Sequence, residues 1–151
     1  MKSKKVKEIM SSDIACATGE TSLVEVSKLM VNENCGEIPI VGSLINKNII
    51  GVITDRDIVC RTLGSGKNPM NLKAQDCMTR NVVKVDPEMT ISDCLQLMGE
   101  NKIRRIPVVD ENNFLAGIVS QADLIRFADK EEAIKTFRKV SSPSESPSSL
   151  Q

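Results

Sequence analysis

The sequence predicts an α+β protein built from two pseudo-symmetric β-α-β-β-α repeats that pack together through their sheets. The first supporting observation is an internal repeat, in which GVITDRD at residues 51–57 returns as GIVSQAD at residues 117–123. The second is an apolar stripe at helical spacing in each half of the chain, and the third is a set of short β-rich segments bounded by turn residues. Repetition of this kind indicates two copies of one supersecondary unit.

The two copies align at one offset over most of their length. Met10 falls on Met78, an offset of 78 − 10 = 68 residues, and this offset holds as far as Val41. From Gly51 and Gly117 onward the offset is 117 − 51 = 66 residues, so the length difference falls in a turn rich in Gly, Asn and Ser. A unit of about 60 residues buries only about 60% of its unfolded surface, so we expect the copies to pack against each other.

Each copy begins with a short predicted strand, at Ile14–Thr18 and at Val82–Val85, and continues with a helix. Ser22 and Thr90 each precede an acidic residue by three positions, which is the pattern of a capped helix start. Apolar residues then recur at helical spacing, and a stripe of this kind forms the core face of a helix. The stripe residues are Leu23, Val26, Leu29 and Met30 in the first copy, and Ile91, Cys94, Leu97 and Met98 in the second.

Two further strands and a closing helix complete each copy. EIPIV at residues 37–41 and RIPVV at residues 105–109 predict strands, and their proline favours a first or edge position in the sheet. NIIGVIT and FLAGIVS predict a second, almost wholly apolar strand, and DRDIVCRTL and QADLIRFA predict the closing helix.

These elements divide the chain into five parts. The first repeat is predicted at residues 6–65, a linker rich in turn residues at 66–73, and the second repeat at 74–128. Residues 129–140 predict a helical extension, and residues 141–151 predict a disordered Ser/Pro-rich tail that cannot build a core.

Composition narrows the class of function. With 40% hydrophobic residues, 26% charged residues and a formal net charge of zero, the chain is typical of a soluble globular domain, and neither nucleic acid nor a membrane is the expected partner. Histidine is absent, and neither a phosphate loop nor a dinucleotide fingerprint occurs, which disfavours an enzyme. The five cysteines lack the spacing of a zinc site, so we expect no metal, and their odd number without a secretory leader predicts the cytoplasm.

A hydroxyl and a carboxylate recur where an apolar strand gives way to a helix. Thr54 precedes Asp57 by three residues in the first copy, and Ser120 precedes Asp123 in the second. The pattern is that of a capping box. The same geometry also leaves backbone N–H groups free to bind an anion and places a carboxylate where it can accept hydrogen bonds from ribose hydroxyls. The residues alone therefore leave both interpretations open.

The repeated segments together resemble a known family, the cystathionine β-synthase (CBS) domain, over residues 6–128. The resemblance rests on the order and duplication of VKEIM and AQDCM, EIPIV and RIPVV, and GVITDRD and GIVSQAD. It is the resemblance that implies a stand-alone tandem CBS pair with two pseudo-symmetric clefts. Such clefts bind adenosine-containing ligands, namely AMP, ADP, ATP or S-adenosylmethionine, without chemistry on them. The family also implies a homodimer.

The resemblance assigns roles to particular residues. It implies that Asp57 and Asp123 bind ribose hydroxyls, and that Thr54 and Ser120 bind ribose or phosphate oxygens. The implied adenine wall comes from the proline strands, aided by the first strands near Thr18 and Asp86. Its members are Ile38, Pro39, Ile106 and Pro107.

The two copies differ just before the proline strand. The second copy has Arg104 and Arg105 where the first has Gly36 and Glu37. A guanidinium group suits phosphate, whereas a carboxylate repels it. We therefore expect Arg104 and Arg105, with Arg56 as a third candidate, to bind phosphate, so that one cleft binds nucleotide better than the other. The alternative is that these arginines are solvated or form salt bridges.

Two function hypotheses follow from the residues and the resemblance. The first is a cytoplasmic, non-catalytic sensor of adenine nucleotides, in which ligand in the cleft alters packing and a regulated partner protein reads the change. The second is a module that dimerises and regulates a partner without any ligand.

Overall fold

A computed structural model describes residues 3–143 of the chain. It has two copies of paired strands flanked by helices, which confirms the predicted α+β class. The strands are β1 (Ala17–Thr18), β2 (Glu37–Val41), β3 (Ile49–Thr54), β4 (Arg105–Val109) and β5 (Leu115–Ser120). The α-helices are α1 (Leu23–Glu33), α2 (Asp55–Arg61), α3 (Ala74–Cys77), α4 (Ile91–Asn101), α5 (Gln121–Phe127) and α6 (Lys130–Ser141). Most of the predicted disordered tail, from residue 144 onward, lies outside the described residues.

Each copy is organised around one antiparallel strand pair. In the first copy β2 pairs with β3, and β1 adds a short parallel edge in the order β1-β2-β3. In the second copy β4 pairs with β5 in the equivalent register. The first strands are shorter than predicted, because only Ala17–Thr18 of the first copy pairs, and the second copy contributes a single bridge from Val85 to Val108.

The expectation that the proline strand lies at a sheet edge is wrong for the first copy, where β2 is central. Pro39 is tolerated because β1 pairs only with Ile40 and Val41, the residues that follow the proline. The missing N–H of Pro39 therefore falls beyond the reach of β1, and no ladder bond is lost there.

The helix starts follow the predicted capping pattern. The Ser22 hydroxyl accepts a hydrogen bond from the Glu25 N–H at 3.2 Å, and the Thr90 hydroxyl accepts one from the Asp93 N–H at 3.1 Å. The predicted stripes face the two hydrophobic cores, with Leu29 and Leu97 partly buried. These caps and stripes fix where α1 and α4 begin and which face each one buries.

The opening segment of each copy packs against the other copy. These segments are VKEIM at residues 6–10, here called the first opening, and AQDCM at residues 74–78, the second opening. Val6, from the first opening, is fully buried among core residues of the second copy, with Ile9 and Met10 packed beside it. Ala74 and Cys77, from the second opening, are buried in the core of the first copy. The openings are therefore exchanged between the copies, and each core is completed by residues of the other repeat.

Paired backbone hydrogen bonds attach each exchanged opening to a strand. Thr79 and Val52 exchange N–H···O bonds of 2.8 and 2.9 Å, and Ser11 and Ile118 exchange two bonds of 2.9 Å. The two hairpin turns are also joined, since the Leu115 N–H donates a hydrogen bond to the Lys47 carbonyl oxygen at 2.8 Å. The two copies thus form one hydrogen-bonded unit.

Glycine permits the close approach of each opening to its strand. A Cβ at Gly51 would lie 2.9 Å from the Thr79 carbonyl oxygen, and a Cβ at Gly117 would lie 3.0 Å from the Ser11 carbonyl oxygen. Contacts this short with backbone atoms cannot be relieved by a rotamer change.

Helix α6 covers one face of the second copy. It begins after Asp129, whose carboxylate accepts from two backbone N–H groups, and it buries Ala133, Thr136 and Val140 against the second copy. The Thr136 hydroxyl donates to the Leu95 carbonyl of α4 at 3.4 Å. No equivalent helix covers α1 in the described part of the chain, so the two copies present different outer faces.

Replacing Gly51 with alanine tests the exchanged opening. We expect Gly51→Ala to lower the free energy of unfolding by about 1–3 kcal/mol, because the new Cβ meets the Thr79 backbone. Urea unfolding measures the change. Gly64→Ala is the matched control, since a Cβ there lies 3.5 Å from the nearest heavy atom. Equal stability of the two variants would contradict the close approach.

Candidate functional site

Both strand-to-helix junctions form the predicted capping boxes. The Thr54 hydroxyl accepts from the Asp57 N–H at 3.0 Å, and the Asp57 carboxylate accepts from the Thr54 N–H at 3.0 Å. Ser120 and Asp123 make the equivalent bonds at 3.2 and 3.1 Å. Each box fixes one hydroxyl and one carboxylate at the start of a short helix.

The two capping boxes differ in the further hydrogen bonds and ion pairs that their side chains make. The Ser120 hydroxyl donates to the Asp123 carboxylate at 2.8 Å, so its proton is used inside the box. The second carboxylate oxygen of Asp57 instead lies 3.5 Å from the Arg61 guanidinium, which also donates to the Cys77 carbonyl at 2.7 Å. Asp57 is therefore linked through Arg61 to the exchanged opening, whereas Phe127 stands at the position equivalent to Arg61.

A cavity of about 180 Å³, here named cavity one, lies beside the start of α2. Residues of both copies line this cavity. Strand β3 and helix α2 come from the first copy, and the chain that follows the second opening and strand β4 come from the second copy. Its polar lining residues are Glu37, Thr54, Asp57, Thr79, Asn81 and Arg105. Its apolar lining residues are Val52, Val82, Val83, Ile103 and Pro107.

A second cavity of about 180 Å³, cavity two, lies at the pseudo-equivalent place. Most of its residues correspond to those of cavity one by the repeat offsets: Ser11 replaces Thr79 and Asp13 replaces Asn81. Its polar lining residues are Ser11, Asp13, Glu33, Cys35, Glu37 and Arg105. Its apolar lining residues are Ile14, Ala15, Ile38 and Ile118.

Some of the residues predicted from the sequence meet in these cavities. Thr54, Asp57, Arg105 and Pro107 line cavity one. Ile38 lines cavity two, which Arg105 also lines. One predicted phosphate ligand, Arg105, thus contacts both cavities rather than one.

The other predicted residues lie elsewhere. Ser120 and Asp123 stand at the equivalent helix start but are not lining residues of cavity two. Arg104 and Arg56 are exposed and line neither cavity. The remaining predicted residues, which also line neither cavity, are the buried Pro39 and Ile106 and the half-buried Thr18 of β1.

The walls supplied by the exchanged openings were not predicted. Thr79, Asn81 and Val83 follow the second opening into cavity one, and Ser11 and Asp13 follow the first opening into cavity two. The repeat alignment pairs these positions correctly, but a repeat alignment carries no information about which copy an opening packs against.

Glu37 is the most strongly perturbed acid of the two cavities. Burial raises the pKa of the Glu37 carboxyl to about 7, the positive charge of Arg105 opposes the rise, and the negative charge of Asp57 adds to it. Its Oε2 atom is buried and has no hydrogen-bond partner in the described structure. Near neutral pH this carboxyl therefore exists in both protonation states.

Neither metal ligands nor membrane-spanning elements stand out in residues 3–143. No three or more Cys, Asp or Glu side chains are grouped there so as to hold a metal ion. No helix within the same range is long and apolar enough to cross a membrane.

A family model for the CBS domain matches the chain twice, at residues 6–62 and 74–130. The chain belongs to the CBS domain family. The resemblance inferred from the repeated segments is thereby confirmed. CBS domain-containing protein YhcV of Bacillus subtilis is 37% identical to this CBS pair over 119 residues, which cover 79% of this chain and 81% of YhcV.

Two solved structures share the fold, one with bound zinc ions and the other with bound adenosine derivatives. Hypoxic Response Protein I, with two coordinated zinc ions, superposes with a TM-score of 0.75 at 30% identity, covering 83% of this chain and 100% of that one. The CBS domain pair of MJ0100, in complex with 5′-methylthioadenosine and S-adenosyl-L-methionine, gives a TM-score of 0.72 at 28% identity, covering 83% and 95%. CBS pairs are regulatory modules, and some bind adenosine-containing ligands.

Glu37→Gln tests the buried carboxyl through the pH dependence of stability. The pKa of Glu37 in the folded state lies above its ordinary value of 4.5. The carboxyl therefore stabilises the fold fully below pH 4.5, and this contribution is lost as the pH rises through about 7. Relative to Glu37→Gln, the wild type should lose on the order of 1–3 kcal/mol between about pH 5 and pH 8.

Urea unfolding at a series of pH values measures this difference. Glu111→Gln is the control, since Glu111 is an exposed glutamate of the second hairpin turn. A Glu37→Gln profile parallel to that of the wild type would show that Glu37 is not perturbed.

Proposed function

We propose that this CBS pair is a non-catalytic regulatory module that binds an adenine nucleotide of the AMP, ADP or ATP type in cavity one. The observation that carries the proposal is the meeting of Thr54, Asp57 and Arg105 around one cavity. These residues supply a hydroxyl, a carboxylate and a guanidinium, which match the ribose and phosphate groups of a nucleotide.

Asp57 suits the ribose. A carboxylate offers about four lone-pair positions, and the Thr54 N–H and the Arg61 guanidinium occupy only part of this capacity. The remaining capacity can accept hydrogen bonds from two vicinal hydroxyls. Because both the capping box and Arg61 hold the side chain, little rotamer entropy is lost on binding.

Arg105 suits the phosphate, and the apolar lining suits the base. Arg105 is half-buried at the start of β4, where a guanidinium can make two parallel bonds to a phosphate. Val82, Val83 and Ile103 supply apolar lining to the same cavity as Asp57. Arg104 and Arg56 are exposed outside the cavity, so the phosphate role rests on Arg105.

Charge favours cavity one over cavity two for a nucleotide. Cavity two has Asp13 where cavity one has Asn81, and it is also lined by Glu33. Its box residues, Ser120 and Asp123, do not reach the cavity lining. A cationic ligand such as S-adenosylmethionine fits this acidic cavity better than a nucleotide does.

Ligand binding in cavity one would act on the packing of the two copies. The cavity wall comes from both copies, so a bound nucleotide contacts both and stabilises their association. A ligand at 100 times its dissociation constant adds about 2.7 kcal/mol to the free energy of unfolding. A partner protein that contacts both copies can read this change. The five cysteines are all free, which agrees with the reducing cytoplasm as its location.

A second candidate function is association without ligand, favoured by an apolar groove on the first copy. The groove has a volume of about 480 Å³ and lies between α1, α2 and the linker. Val31 and Met70 line it with side chains 78% and 66% exposed. The equivalent face of the second copy is covered by α6. We propose a homodimer that buries this groove against a second chain.

Substitution of Arg105 tests nucleotide binding. We expect Arg105→Gln to weaken AMP binding about tenfold or more, because a hydrogen bond to a charged group contributes about 1.5–3 kcal/mol. Isothermal titration calorimetry with AMP measures the change. Arg104→Gln is the matched control, since it removes an equal charge one residue away on an exposed side chain. Equal affinity of both variants would exclude the assigned phosphate role.

Substitution of Val31 tests the groove. We expect Val31→Glu to raise the dimer dissociation constant at least about tenfold, since a carboxylate would have to be buried in an apolar interface. Sedimentation velocity over a concentration series measures it. Ile45→Glu is the control, because Ile45 is 91% exposed on the first hairpin turn and lies outside the groove. A Val31→Glu variant that associates like the wild type would place the interface elsewhere.

A further inference from the structure

Two charged residues belong to both cavities. Glu37 and Arg105 each line cavity one and cavity two. They are equivalent positions of the repeat, at an offset of 105 − 37 = 68 residues, and they are the first residues of β2 and β4. Residues that are equivalent under a pseudo-twofold axis and touch both pseudo-equivalent cavities lie close to that axis. The two cavities are therefore neighbours across one charged wall.

The charged wall is not a closed ion pair. Glu37 and Arg105 influence each other electrostatically, but they form no salt bridge within residues 3–143. The Oε2 atom of Glu37 lacks a hydrogen-bond partner in the same range. The Arg105 guanidinium is therefore not committed to Glu37 and remains available to a ligand from either side.

Arg105 is the sole cation among the described residues that line either cavity. The acids are distributed on both sides, with Asp57 in cavity one and Asp13 and Glu33 in cavity two. One guanidinium thus serves two cavities, and an anion that engages it from one side also adds negative charge beside the other side.

We propose that the two cavities are coupled through Glu37 and Arg105, so that an anionic ligand bound in cavity one weakens the binding of a second anionic ligand in cavity two. This inference rests on the proposed function. Energetic coupling between sites is reciprocal. A variant that weakens anion binding in cavity one therefore leaves cavity two without the opposing charge, and the same anion fills cavity two at a lower concentration. Two unequal but independent sites would lack this property.

Cys35 provides a reporter of cavity two that requires no substitution. Its half-buried thiol lines cavity two and donates to the Glu37 carbonyl at 3.5 Å. Ile103 stands at the equivalent place in cavity one, so the thiol marks one cavity and not the other. Protection of Cys35 from N-ethylmaleimide, read by peptide mass spectrometry, measures occupancy of cavity two. The exposed Cys60 lines neither cavity and serves as the internal control.

The test compares the wild type with Asn81→Asp, in which cavity one receives the carboxylate that Asp13 gives cavity two. Asn81 is exposed, so the substitution leaves the core intact. Calorimetry first verifies that AMP binds cavity one more weakly in the variant. We then expect AMP to half-protect Cys35 at a concentration at least about fivefold lower in the variant than in the wild type.

Two controls make the outcome decisive. The neutral ligand 5′-methylthioadenosine should half-protect Cys35 at the same concentration in both proteins, because it places no charge beside Arg105. An equal shift with this neutral ligand, or no shift with AMP, would overturn the coupling and leave the proposed function intact. If AMP at millimolar concentration produced neither heat nor protection of Cys35 in the wild type, both the proposed function and the coupling would be overturned.

Discussion

The exchange of opening segments between the two copies is the constraint on which the rest of the structure depends. Val6 completes the core of the second copy, and Ala74 and Cys77 complete the core of the first. Neither copy can close its core without the other, which is consistent with the small core that a unit of this size can build alone. The exchange also creates the cavities, because the chain that follows Thr79 leaves Val52 and runs along the start of α2.

The backbone is pseudo-symmetric, but a few side chains differ at equivalent places. Arg61 links Asp57 to the exchanged opening, whereas Phe127 at the equivalent position cannot form an ion pair. The Ser120 hydroxyl bonds within its own box, which leaves it less available to a ligand. Helix α6 covers only the second copy among the described residues. The first copy therefore carries the open apolar groove and the capping box that lines the cavity proposed for a nucleotide.

Local elements were predictable from the sequence, whereas contacts between copies were not. Helical periodicity and the caps at Ser22 and Thr90 predicted α1 and α4, and the hydroxyl–carboxylate spacing predicted both boxes. The exchange was not predictable, since each copy has a glycine, Gly51 or Gly117, at the point of close approach and the sequence does not say which copy an opening packs against. The cavity walls that depend on the exchange were missed for the same reason. The phosphate role expected for Arg104 stays a prediction, since Arg104 is exposed and lines neither cavity.

Helix α2 lines both cavity one and the apolar groove of the first copy, the two surfaces for which a function is proposed. Asp57 lines cavity one, and the next residue, Ile58, lines the apolar groove on another face of the same short helix. A capping box holds the start of this seven-residue helix, so a displacement at Asp57 would reach its neighbour Ile58. Under the proposed function, a nucleotide that moved the start of α2 toward Arg105 would also move Ile58 in the groove, where the proposed second chain would contact it. The two proposed functions, nucleotide sensing and association, would then both depend on the position of α2.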